Sequence, residues 1–565
     1  MRNPSSIWKR AIRRIVIVAA LLAVGCAKQG YPPGGPLDKT GPRVIESHPA
    51  NQAVAVDPTV HPWIRLNESP QRLSVQDAVF ISPDLEGGFS YKIRGRRIEI
   101  IPKENLPRYR TIVITWGTGL KDLNGNPMEA PFILAFSTGD SLDRAAVRGT
   151  VIDLVSPTAV WMWAYALDEF PDPDPRRDRA PFAVQPDQEG RFSFSYLPAR
   201  RFRIFAVEDL KSDRLWDSRK EKIAFPSQDV TADPAEIPYL TMKMGISDLT
   251  PPQLIGAQAT HRQTILLTFD EAVDAEQMKI TVVTDSASGA IPLQIINRYQ
   301  PPADSTRVLL TTARQRDHDV YFIHVDGTCD RFSNRADSLT ATTPASTVED
   351  TLGPIFTYSD PPPNAENVIW DAAIRIGFSE AVILSDLQRA VVILDSSGST
   401  VAGNWTFPGP ALGVFRPDQP LQYAARYTVF LYGDSLRDAL GNPAADSLAS
   451  FRFRTLDPGS SGGISGRISR FTSDLNVVAE RIENREKTYR AKVSKTDARF
   501  LFTDLPAGIY RLWLFQDQDR DERYSFGRLD PFRYAEPLVL HPDTVRVRPR
   551  WETENVNLDW LPATR

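Results

Sequence analysis

Three stretches of the chain alternate apolar and polar positions in the same way and end at a glutamate. They are Ile64-Arg65-Leu66-Asn67-Glu68, Ile265-Leu266-Leu267-Thr268-Phe269-Asp270-Glu271 and Ile374-Arg375-Ile376-Gly377-Phe378-Ser379-Glu380. A period of two places one face of a strand in a core. Each stretch follows a proline-containing lead: Thr40-Gly41-Pro42-Arg43-Val44, Asp248-Leu249-Thr250-Pro251-Pro252 and Thr351-Leu352-Gly353-Pro354. Each also runs on, at nearly constant spacing, to a closing turn. The first turn is Lys121-Asp122-Leu123-Asn124-Gly125-Asn126-Pro127 and the third is Arg437-Asp438-Ala439-Leu440-Gly441-Asn442-Pro443, and each precedes a final strand. Glycine and asparagine tolerate positive φ and proline sets the exit, so these residues predict tight turns. The second copy, Cys329-Asp330-Arg331-Phe332-Ser333-Asn334-Arg335, lacks the glycine and the proline, which leaves its last hairpin without that turn chemistry.

A second repeat fills the gaps between these units. Arg148-Gly149-Thr150-Val151 opens one copy and Ile464-Ser465-Gly466-Arg467-Ile468 the other. Gly190-Arg191-Phe192-Ser193-Phe194-Ser195-Tyr196-Leu197-Pro198-Ala199 recurs as Ala498-Arg499-Phe500-Leu501-Phe502-Thr503-Asp504-Leu505-Pro506-Ala507. The pattern predicts a strand, a tight turn and a second strand. In the later copy that strand is Gly508-Ile509-Tyr510-Arg511-Leu512-Trp513-Leu514, whereas Arg200 stands where Gly508 would be. A partial tandem duplication accounts for both repeats.

The proline lead, the Ile-x-Phe-Ser-Glu-Ala-Val strand and the Asp-x-x-Gly-Asn-Pro turn resemble bacterial Ig-like domains of S-layer and cell-surface proteins, which implies β-sandwiches. The gap repeat resembles the transthyretin-like modules that accompany some carboxypeptidases and many bacterial surface proteins. The expected fold is all-β: a multidomain string of Ig-like and transthyretin-like β-sandwiches. Its expected parts are a lipoprotein signal peptide (1–25), a flexible Gly/Pro leader (26–40), Ig-like domains at 41–140, 248–348 and 351–457, and transthyretin-like modules at 145–246 and 462–560.

Composition supports folded modules. Hydrophobic residues make up 42% of the 565 and aromatics 10%, enough to build cores despite 46 prolines. The formal net charge is −4, which excludes a basic footprint for nucleic acid. Residues Met1 to Arg14 are basic and Ile15 to Val24 are apolar. Ten residues are too few for a hydrocarbon core of roughly 30 Å but fit a signal-peptide core. The run ends at Gly25-Cys26 and resembles a bacterial lipobox, with Ala23 where that motif usually has leucine. The resemblance implies that Cys26 is lipidated and becomes the new N-terminus, anchoring the chain to a membrane of the cell envelope. The chain's other cysteine, Cys329, then has no disulfide partner and reads as a small buried hydrophobe.

Catalytic signals are sparse. No His-Glu-x-x-His pair, paired-cysteine zinc site, nucleophile elbow or phosphate loop occurs. His318 and His324 would share a face if one strand held both. Glu68, Glu271 and Glu380 recur in every copy and read as framework. In Gln516-Asp517-Gln518-Asp519-Arg520-Asp521-Glu522, the alternating Asp517, Asp519 and Asp521 offer hard oxygen ligands suited to Ca²⁺. Glu522 stands where an EF-hand needs glycine, and Arg528 where it needs glutamate. Two readings stay open there: a calcium site, or a solvated turn with Arg520 and Arg523 as counter-charges. The C-terminal Leu561-Pro562-Ala563-Thr564-Arg565 lacks the glycine, apolar tail and basic stop of a sortase signal. The expected function is that of a non-catalytic, lipid-anchored envelope protein acting through surface binding, adhesion or spacing, with a protein or glycan partner. The alternative is an accessory protein or hydrolase of the periplasm or outer membrane.

Overall fold

The computed structural model describes residues 38–560, apart from 86, 155, 157–158, 286–288 and 472–473. The described residues are almost wholly β. Helix is confined to short pieces such as Arg72–Asp77 and Leu384–Ala390. These two helices follow the repeated glutamate strands at equivalent positions, and the alternation of apolar residues gave no sign of them. No helix among the described residues is long and apolar enough to cross a membrane.

The first sandwich packs a four-stranded sheet (Val44–His48, Trp63–Leu66, Arg97–Pro102, Phe89–Arg94) on a three-stranded one (Val79–Ser82, Thr111–Trp116, Phe132–Ser137). Alternation along Trp63–Leu66 sends Ile64 and Leu66 into a core with Ile98, Ile114, Trp116 and Phe136. The third sandwich repeats the scheme: Ile374 and Ile376 meet Phe415, Val429 and Phe453. Between them, Thr264–Phe269 and Val320–Asp326 lie in two further four-stranded sheets around Ile265, Leu267, Val308 and Ile323.

Each gap module also has two layers. In the earlier one, Val160–Ala166 pairs antiparallel with Arg201–Glu208, and Ala145–Ile152 lies in a second sheet with Arg191–Leu197. In the later one, Leu475–Arg481 pairs with Gly508–Gln516, and Ser461–Ser469 with Arg499–Pro506. Val160–Ala166 is an unbroken apolar run, and every residue of it is buried, on both faces of the strand. Val160, Met162, Ala164 and Ala166 face the module's own core. Trp161, Trp163 and Tyr165 face outward into a second apolar cluster shared with Phe80, Leu529 and Ala535.

That second cluster shows that the modules do not simply follow one another end to end. Strand Gly508–Gln516 of the later gap module sets Trp513 and Phe515 against Ile152 of the earlier one. A buried ion network joins the same faces: Lys243 and Arg511 each bridge Asp153 and Glu480, and Trp513 Nε1 donates to Glu480 Oε1 at 2.8 Å. The segment after Asp521 forms an arm laid across the earlier module. Arg203 stacks 3.8 Å from the Phe532 ring centroid and pairs with Asp229 at 2.8 Å, and Ala535 N donates to Pro226 O at 3.0 Å. Further along the arm, Arg528 donates to Asn334 Oδ1 at 3.0 Å, reaching the second closing turn.

Candidate functional site

Folding brings each repeated glutamate to two aspartates. The ligand oxygens of Asp38, Glu68 and Asp122 lie within 4.8 Å of one another, as do those of Asp248, Glu271 and Asp330 and those of Asp350, Glu380 and Asp438. One member comes from the lead, one from the strand end and one from the closing turn. The turn aspartate is held by an asparagine four residues on: Asn126, Asn334 and Asn442 each donate a backbone N–H at 2.7 Å to Asp122, Asp330 and Asp438. The asparagine side chains add bonds of 2.8, 2.7 and 2.8 Å. The second turn makes this clamp without glycine because Ser333 takes φ 64°, the left-handed conformation that Gly125 and Gly441 adopt at φ 87° and 94°. The leads cross the turns closely. A Cβ on Gly41 would sit 1.8 Å from Pro127 O, and one on Gly353 1.7 Å from Pro443 O.

Burial, with Asp438 and Asp350 beside it, pushes the Glu380 carboxyl up to about 8. Burial and then Asp248 and Asp330 push Glu271 up to about 7, and burial raises Glu68 too, against the Asn67 side-chain bond. Three carboxyls so close cannot all ionise without compensation, which protons or a hard cation would supply.

The fourth acidic cluster is Asp517, Asp519 and Asp521, also within 4.8 Å of one another. It begins the loop that leaves strand Gly508–Gln516. Asp517 is buried, and its Oδ2 accepts from Glu522 N at 3.1 Å and Asn476 Nδ2 at 3.3 Å. Asp519 accepts from Asp521 N at 3.3 Å and from the Ser525 hydroxyl at 2.8 Å, and the latter bond holds its carboxyl below the usual range. Glu536 braces the loop by accepting Gln518 N at 2.5 Å and Ser525 N at 3.0 Å, while burial pushes it up to about 7. The earlier module has the same brace: Glu221 accepts Leu210 N at 2.9 Å and Asp217 N at 2.8 Å. There Lys211 stands in the place of Asp519.

Against this geometry, residues 38–138 and 350–455 match the family described as "Bacterial Ig-like domain". Two segments of the chain are bacterial Ig-like domains. Both matched segments begin at or beside the lead aspartate of a triad. Among solved structures, the N-terminal part of the bacterial S-layer protein SbsC is 10% identical over 36% of this chain, with a TM-score of 0.16; the chain spans 44% of that structure. An L,D-transpeptidase from Mycobacterium smegmatis is 12% identical over 37% of this chain and 90% of its own, with a TM-score of 0.17. The immunoglobulin domains 1-4 of Sidekick-1 are 9% identical over 73% of this chain and 95% of theirs, with a TM-score of 0.19. No curated protein matches the sequence.

Cys26, the expected signal peptide at 1–25 and Leu561-Pro562-Ala563-Thr564-Arg565 lie outside the described residues. His318 and His324 do not share a strand: His318 precedes Val320–Asp326, and His324 pairs with Asp326 at 3.0 Å. Cys329 is half-buried, because in Thr328–Asp330 its two neighbours take the inward positions. The repeated glutamates do have acid partners, which lie far from them in the chain. The signal was an aspartate four residues before the last proline of each lead (Asp38 before Pro42, Asp248 before Pro252, Asp350 before Pro354), together with the aspartate of each turn.

Proposed function

We propose that the chain is a non-catalytic, lipid-anchored protein of the bacterial cell envelope whose β modules act as a scaffold or a binding surface for a protein or glycan. The observation that carries this reading is the pair of bacterial Ig-like domains at 38–138 and 350–455, in a chain whose first residues run from a basic stretch through an apolar one to Cys26. Acyl chains on Cys26 would hold the modules at a membrane through the Gly/Pro-rich leader. The buried contacts between the gap modules support a stiff scaffold over a row of freely jointed beads, since an apolar, ion-paired interface restrains relative motion.

Metabolic labelling with a palmitate analogue tests the anchor. The wild-type chain should take up label and sediment with membranes, and Cys26→Ala should do neither. Unlabelled wild-type protein free in the periplasm or medium would overturn the anchor. Protease treatment of intact cells then separates the outer surface from the periplasmic face.

A further inference from the structure

We propose that Asp517, Asp519 and Asp521 form a Ca²⁺ site that fixes the root of the arm joining the two gap modules. The cluster alone would not support this, since acidic turns are common without an ion. The second observation is Asp517 Oδ1. Asp517 is 6% exposed, and this oxygen accepts no hydrogen bond. A buried carboxylate oxygen left without a donor bears its full desolvation cost. The ligand oxygens of Asp519 and Asp521 stand within 4.8 Å of that of Asp517, so one hard cation would satisfy all three residues.

The equivalent loop of the earlier module shows how Asp517 Oδ1 comes to lack a donor. The backbone has the same course: Ser212 and Arg214 are left-handed at φ 55° and 62°, as are Arg520 and Glu522 at φ 62° and 63°. In the earlier loop Asp209 is satisfied on both oxygens, Oδ1 by Asp213 N at 3.2 Å and Oδ2 by Arg214 N at 3.0 Å. In the later loop the amide matching Asp213 N belongs to Asp521, and it turns instead to Asp519 Oδ1. Only the Oδ2 bond is kept. Lys211, in the place of Asp519, would put an ammonium where the later loop has a carboxylate, and it pairs with Asp217 at 2.7 Å. The cationic alternative within the later loop is not realised either. Arg520 reaches toward Asp474 at 3.8 Å, while Arg523 lines the cleft between the modules with Asp153 and Glu480.

The ligand chemistry selects the ion class. Three carboxylates without nitrogen or sulfur donors suit a hard cation, and the exposure of Asp519 and Asp521 leaves room for the water ligands that complete a calcium shell. The functional consequence is mechanical. The next residues begin the arm, with Tyr524 packed edge-on to Trp513 at 5.5 Å between ring centroids. An ion at its root would hold the arm down on the earlier module.

The test uses the full chain stripped with EGTA. Calorimetric titration with CaCl₂ should give one equivalent fewer for Asp519→Asn than for wild type, whatever total the other acidic clusters contribute. Asp521→Asn should lose the same equivalent, and its exposed position preserves the fold if the first variant misfolds. Trypsin cleavage at Arg520 and Arg523 should slow about tenfold in wild type at a Ca²⁺ concentration about ten times Kd, by linkage of binding to loop opening, and not slow in either variant. Equal stoichiometry in wild type and both variants, or Ca²⁺-independent cleavage in wild type, would overturn the proposal. Retention of the equivalent with Mg²⁺ but not Ca²⁺ would overturn the choice of ion.

Discussion

The two acidic loops, one in each gap module, share a backbone and a glutamate brace but meet their surroundings in opposite ways. The earlier loop is closed on itself: Asp209 takes two backbone amides, Lys211 pairs with Asp217, and Trp216 donates to Glu221 O at 3.0 Å. The later loop leaves one buried oxygen unfilled and sends its remaining residues across the earlier module. Two units of like fold thus play different parts, one as the platform and the other as the strap. The difference rests on few residues. A lysine in place of one aspartate, and an amide turned from one carboxylate to the next, separate a self-satisfied turn from a candidate cation site.

The largest test of the comparison removes the platform's grip. Arg203 is almost wholly buried against Asp229, whose side chain is 3% exposed, and under Phe532. Arg203→Ala removes that carboxylate's nearest cation, leaving it Arg201 at 3.4 Å and the Tyr534 hydroxyl at 2.7 Å, and should cost about 3 kcal/mol in urea unfolding, the low end for breaking a buried pair. Hydrogen exchange in residues 524–536 should rise with it, and unchanged exchange there would show that the arm does not depend on this contact. A smaller effect comes from Gly245, where an added Cβ would lie 2.6 Å from Phe526 Cδ1. Gly245→Ala should push the arm away at a cost of about 1–3 kcal/mol, read as faster tryptic cleavage at Arg528. The earlier loop should be untouched.

Titration probes the two braces, since burial raises Glu221 as it raises Glu536. Glu536 is raised above its ordinary 4.5 to about 7, so its contribution to stability is full below about pH 4.5 and is lost as pH rises through about 7. In EGTA the later module should therefore lose on the order of 1 kcal/mol across that window. Asp519→Lys, by removing one of the nearby negative charges, should flatten the fall, and an unchanged slope of melting temperature against pH would refute the assignment. The smallest effect is expected from the reciprocal graft. Lys211→Asp should change stability by under about 0.5 kcal/mol and gain no Ca²⁺ equivalent, because Asp209 already has both oxygens filled.

Much of the architecture was legible because it is written in short periods. Alternation marked Ile64, Leu66, Ile374 and Ile376 as core, and all four are fully buried. The turn residues marked hairpin ends, and Asp517, Asp519 and Asp521 stood together in sequence and stayed together in space. The triads around Glu68, Glu271 and Glu380 were harder to see. Their members lie far apart in the chain, and only the crossing of each lead over its closing turn unites them. The second turn was harder still, since Ser333 adopts a glycine-like φ that its residue type does not announce. Residue type is a preference, and the Asp330–Asn334 clamp outweighs it.

By itself, the sequence determined the β character of the modules, their repetition and the places where strands turn, since these follow from side-chain spacing within a few residues. Tertiary structure alone decided that Trp161, Trp163 and Tyr165 would be covered by Leu529, Ala535 and Phe532, and that Asp153, Lys243, Glu480 and Arg511 would share one network. A strand with two apolar faces announces that something must cover it, because exposed aromatic surface is costly in water. It does not say what. The covering segment lies more than three hundred residues away, and the pairing was settled by the shapes and charges of two folded surfaces, which no local pattern records.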